Sequence, residues 1–168
     1  MVISAVMAAL ALVLPVAFHV VGLGSKFLPM LLPLLVNAFL VEWRWAVGTA
    51  AAVPWISALA TGMPPLYPPV AAAMSVECAV MAAVAALIYR RGRRSVWAAL
   101  IPAVLAGRLT SFAMTFFLAQ VFGLPAAVAS VARLLEGLPG VALQLVLVPL
   151  LLRALAARRS ILLDEAPE

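Results

Sequence analysis

The chain has 168 residues, 67% of them hydrophobic and only 10% charged, and its mean hydropathy is +1.21. That balance excludes a water-soluble domain and places the chain in a bilayer. The formal charge of +5 does not point to a nucleic-acid partner, because the arginines cluster at the ends of apolar runs rather than along one face.

Crossing a hydrocarbon core about 30 Å thick takes roughly 20 apolar residues, fewer where a span is packed inside a bundle. The first predicted helix, Val2 to Val21, has no basic segment before it and no small-residue cleavage site after it, so it reads as a retained span. On it, Ser4 and Ala8, and Ala5 and Ala9, stand four apart, a small-xxx-small spacing that lets helices approach closely in lipid. Helix 2 (Phe27 to Val41) and helix 3 (Trp45 to Ala60) are short. Helix 4 runs from Val70 to Tyr89, helix 5 from Ser95 to Phe122, and helix 6 from Pro139 to Ala157. A polar tail covers 160–168 and is expected to fray. Prolines inside these runs (Pro15, Pro29, Pro33, Pro54, Pro102, Pro149) break helical hydrogen bonds and favour a kinked bundle with room inside.

Arginine and lysine in short loops are retained on the cytoplasmic side. Arg44, the run Arg90, Arg91, Arg93, Arg94, and then Arg153, Arg158 and Arg159 fall on one side of six crossings, with Lys26 and Arg133 on the other. The predicted fold is therefore an all-α integral membrane protein: one six-helix transmembrane bundle over 1–159, with N- and C-termini cytoplasmic. The outer loops are then Gly22 to Lys26, Thr61 to Pro69 and Gly123 to about Leu138. The second holds four prolines and is a stiff wall or a plain connector, with Met63 and Tyr67 available for contacts. In the third, Ala126 to Glu136 has helical spacing and reads as a short interfacial helix.

Ionisable groups at membrane depth are costly, and they usually face a partner, a cavity or a pathway. Glu77 stands seven residues into helix 4, roughly 10 Å below its outer end at 1.5 Å per residue. Arg108 lies near the middle of helix 5, and His19 in the last turn of helix 1. Arg108 and Glu77 facing one cavity would hold opposite ends of a polar ligand, with His19, Asn37, Gln120 and Gln144 adding hydrogen bonds. The plainer reading is an ion pair that only locks two helices, with Asn37 and Gln144 in interhelical hydrogen bonds. Met30, Met74 and Met81 read as packing residues. Cys78, the single cysteine, is an inert buried thiol. One histidine and one cysteine build no metal cage, and the sequence has no Gly-rich phosphate loop and no nucleophile elbow, so neither an enzyme nor a cofactor is expected.

Six short helices, the alanine stripe of helix 1, Phe-Leu-Pro-Met-Leu-Leu-Pro at 27–33, Thr-Gly-Met-Pro-Pro at 61–65 and Gly-Leu-Pro-Gly-Val-Ala-Leu-Gln at 137–144 together resemble an S component of the energy-coupling factor (ECF) transporters. The resemblance implies a vitamin-binding subunit of the bacterial cell membrane that captures substrate from outside. It would dock through Ser4, Ala5, Ala8 and Ala9 on a T component bearing two ATPases. It also implies that the loops after helices 1, 3 and 5 cap the ligand, and that the loaded subunit topples to release it inward. Substrates of such proteins include riboflavin, thiamin, biotin, folate, pantothenate, pyridoxine, cobalamin and queuosine precursors. Arg108, with Lys26 at the mouth, suits a carboxylate, and the 8% aromatic content disfavours a large flat ring, which makes a pantothenate-like acid the first choice. Two other readings stay open: a structural or assembly membrane protein of the same fold, and a stand-alone proton-coupled carrier in which Glu77 or His19 titrates.

Overall fold

The computed structural model describes residues 1–20, 29–67, 69–92, 94–123 and 137–164, with the side chains of His19, Val20 and 158–164 outside that description. The described chain is helical: α1 (Val2–Val20), α2 (Leu31–Leu40), α3 (Trp43–Thr61), α4 (Val70–Ala86) continued by a π-helical turn (Leu87–Arg91), α5 (Val96–Val121) and α6 (Leu138–Asp164). Val70–Arg91, Val96–Val121 and Leu138–Ala157 are each long and apolar enough to cross a membrane, while Val2–Phe18 and Leu31–Leu40 are shorter apolar helices.

The ten residues of α2 span roughly 15 Å, about half a hydrocarbon core, and this short helix is enclosed by the rest of the bundle. Apart from Asn37 it is apolar all round, as suits a helix with neighbours on every side, and every residue from Pro33 to Phe39 is buried. It packs against α1, α3, α4 and α6. The sequence pattern starts this helix at Phe27; Phe27 and Leu28 lie outside the described residues, Pro29 and Met30 form a turn, and the described helix begins at Leu31. Pro33 then falls in the first turn, where its missing N–H breaks no intrahelical bond.

The second central element is α4, which packs most extensively on α5 and α3 and also meets α2. Its contact residues are small: Ala71, Ser75, Cys78, Ala82 and Ala86 are all buried. Ser75 donates its hydroxyl to the Ala51 carbonyl of α3 at 2.6 Å, a bond that close approach of the two backbones permits. The facing side of α5 carries Ala99, Ala103 and Gly107, four apart and buried. A Cβ on Gly107 would overlap Cγ and Sδ of Met81, so a glycine is what allows Met81 to lie flat between the helices.

The ends of α2 and α4 are clamped together. Arg90 Nη2 donates to the Leu40 carbonyl at 3.0 Å, setting a cation against a helix C-terminus, and the Phe39 and Tyr89 rings meet edge-on at 5.0 Å. Ser95 caps α5, its hydroxyl accepting the Ala98 N–H at 3.3 Å. Gly62 ends α3 in the left-handed conformation (φ 73°), its N–H donating to the Ala58 carbonyl. The last helix runs to Asp164, beyond the Ala157 end expected from sequence. No proline or glycine interrupts the chain between Pro149 and Asp164, and Ile161, Leu162 and Leu163 extend the run.

Candidate functional site

The polar residues at the centre of the described interior, Asn37, Glu77, Arg108 and Gln144, come from four helices, α2, α4, α5 and α6. Glu77 lies one turn before Met81 on α4, and Arg108 follows Gly107 on α5, so the close approach at Gly107 brings the two charged side chains together. Arg108 Nη2 forms an ion pair with Glu77 Oε1. The Glu77 side chain is 4% exposed and that of Arg108 17%. The pair thus stands where α4 and α5 are held together by small residues. Arg108 Nε is buried without a hydrogen-bond partner.

Asn37 on α2 and Gln144 on α6 are fully buried, and both the nitrogen and the oxygen of each carboxamide lack a hydrogen-bond partner. Interhelical hydrogen bonding, the plainer reading of these two residues, therefore does not account for them in this arrangement. Each unmet buried group costs about 1–3 kcal/mol, which makes such amides stand out against the rule that buried polar groups are paired. Their helices pack against each other. Both amides offer a donor and an acceptor of neutral charge.

Between α2 and α4, Leu31, Leu34, Leu35, Cys78, Met81 and Ala82 meet along an apolar seam with no room for a water molecule. A small-molecule pocket usually encloses about 300 Å³ or more, so this seam is helix packing rather than a ligand chamber.

The remaining predicted site residues are spread toward one end of the bundle. Gln120 is exposed, one residue from the end of α5. Met63 is 48% and Tyr67 70% exposed, and the Tyr67 ring meets Phe122 edge-on at 6.3 Å, laying the proline-rich loop over the end of α5. The start of that loop is anchored: Ser57 donates its hydroxyl to the Met63 carbonyl at 2.6 Å, and Thr61 donates to the Ser57 carbonyl at 2.8 Å. The backbone of His19 lies in the last turn of α1. Its side chain, the Gly22 to Lys26 loop, Pro68, Arg93 and the segment Ala126 to Glu136 with Arg133 lie outside the described residues.

The small-residue stripe of α1 is divided between two faces. Ser4 is buried and Ala8 half-buried against the bundle, whereas Ala5 and Ala9 are exposed beside Val2, Val6, Val13 and Val16. The stripe Ala99, Ala103, Gly107 on α5, which builds the tightest helix contact, was equally visible in the sequence as small residues four apart and was missed.

No curated protein and no solved structure matches the chain. A family model does, over residues 1–152, under the description ECF transporter, substrate-specific component. That span takes in the whole of α1 to α5, both members of the ion pair, both unpartnered amides and most of α6. A multi-pass helical membrane chain with Asn37, Glu77, Arg108 and Gln144 in its interior fits that description, and the chain belongs to the substrate-specific components of the ECF transporters.

Proposed function

We propose that this chain captures a small organic acid from outside the bacterial cell membrane and delivers it inward through a T component driven by two ATPases. The observation that carries the reading is the unspent hydrogen-bonding capacity of the interior: Arg108 Nε and the carboxamides of Asn37 and Gln144 are buried without partners in a chain of a substrate-binding family. A ligand with a carboxylate and an amide or hydroxyl groups supplies what these atoms lack. A pantothenate-like acid remains the first candidate, with Arg108 as its anchor and Met63, Tyr67, Gln120 and His19 toward the mouth.

The reading sets both termini in the cytoplasm. Exposed Trp43, Trp45 and Trp97 stand beside Arg44, Arg90, Arg91 and Arg94 at one end of the helices, the arrangement of an interfacial belt on the positive side. The exposed face of α1 around Ala5 and Ala9 is the surface offered to the T component. The chain itself catalyses no reaction and needs no cofactor; the ATP is hydrolysed by its partners.

Proteoliposomes test this directly. With the T component, both ATPases and internal ATP, labelled pantothenate should accumulate, and leaving out any one partner should abolish accumulation while binding persists. Uptake by this chain alone that collapses with the proton gradient would assign it instead as a carrier. Absence of both binding and uptake across a vitamin panel would assign it a structural role.

A further inference from the structure

The described interior holds one cation and one anion, and they are already joined. Glu77 sits on α4, and α4 packs against α5, α3 and α2. On α5 the ionisable group is Arg108. On α3 it is Arg44, in the first turn and at the opposite end of the bundle, and α2 has none. On α4 itself the other titratable side chain is Cys78, which is buried next to Glu77. Tyr89, Arg90 and Arg91 of the following π turn lie roughly 18 Å further along at 1.5 Å per residue. The two buried carboxamides without partners, Asn37 and Gln144, are neutral. The formal charge of the described interior is therefore zero.

A ligand carboxylate that hydrogen-bonds Arg108 Nε brings a second anion to a place where the described residues supply one cation. Two carboxylates sharing one buried site do not both stay ionised. Uncompensated charge is what the low-dielectric interior excludes most strongly. We propose that an organic acid enters this site only as an electroneutral unit, its carboxylate on the Arg108 guanidinium and one proton on the Glu77 carboxyl. An O–H bond forms on a Glu77 oxygen, the proton comes from the surrounding water or buffer, and no bond to the ligand forms or breaks. When the ligand leaves, Glu77 returns the proton and recloses its pair with Arg108. An uncharged ligand binds the same site without taking up a proton, and a dianion is rejected. The substrate class this selects is monocarboxylic acids and neutral polar molecules.

The inference rests on the capture function proposed above, and one set of titrations separates the two. Purified protein in mild detergent is titrated calorimetrically with pantothenate and with biotin, in buffers of different protonation enthalpy and over pH 6–9. The expected result is one proton taken up per acid bound, and a Kd that weakens about tenfold per pH unit. Glu77→Gln should bind the acid with no proton uptake and a Kd independent of pH. Pantothenol, which has an alcohol in place of the carboxylate, should bind the unaltered protein with no proton uptake, so the test survives even if the variant fails to fold. Acid binding without proton uptake overturns this inference and leaves the capture function standing. Failure of both acids and of pantothenol to bind overturns the two together.

Discussion

Replacing Gly107 by alanine probes the contact that holds the charged pair together. Alanine is the better helix former by about 1 kcal/mol. Its Cβ, however, overlaps Met81 Cγ and Sδ, and Met81 is 2% exposed and has no way out to lipid. Overpacking of this kind costs about 1–3 kcal/mol. Gly107→Ala should therefore lie between neutral and about 2 kcal/mol destabilising. Met81→Ala alone should cost about 2–5 kcal/mol through the cavity it leaves. In the Met81→Ala background the clash is gone, so Gly107→Ala should become stabilising by about 1 kcal/mol. The double-mutant cycle is read from reversible unfolding in mixed micelles, with helical circular dichroism as the signal. A coupling of about 1–3 kcal/mol supports the packing account. Additivity within about 0.5 kcal/mol would refute it, because the two residues would then not share a contact.

Breaking the ion pair from one side, by Glu77→Gln or Arg108→Met, should destabilise the protein by about 3–5 kcal/mol in the same assay, whereas the double variant should recover most of the loss. Ser75→Ala removes one interhelical hydrogen bond and should cost only about 0.6 kcal/mol, the typical value for such bonds within a bilayer. Tyr67→Ala should leave stability unchanged, since the ring is 70% exposed, but should speed ligand dissociation measured by filter binding if the proline-rich loop closes over the site. Orientation is open to cysteine labelling, because Cys78 is buried and gives little background. In intact cells a membrane-impermeant maleimide should label Thr61→Cys and spare Arg94→Cys, both positions being exposed in the bundle.

The helices were legible because long apolar runs end where arginine, proline and glycine gather. The expected Trp45 to Ala60 and Ser95 to Phe122 spans differ from α3 and α5 by only one or two residues at each end. The interior role of α2 was not legible. Apolar composition alone does not separate a lipid-facing span from an enclosed one, and only the neighbours on every side distinguish them. The cost of charge at membrane depth singled out Glu77 and Arg108 but left open whether they pair directly or hold a ligand between them. Asn37 and Gln144 were found for the same reason, but that their amides lack partners could only come from the packing. For the small-residue stripe of helix 1, sequence spacing gives a face without saying which way it turns. Ser4 faces the bundle, and Ala5 and Ala9 face away from it.

The central claim is that this interior holds a small molecule. It is tested most directly by purifying the protein in mild detergent, extracting what travels with it and identifying that molecule by mass spectrometry, beside Arg108→Ala prepared the same way. The account predicts a stoichiometric monocarboxylic or neutral polar metabolite that is lost from the variant. An empty protein that also gains no thermal stability from a vitamin panel would contradict it, since a ligand that binds only the folded state must raise that stability.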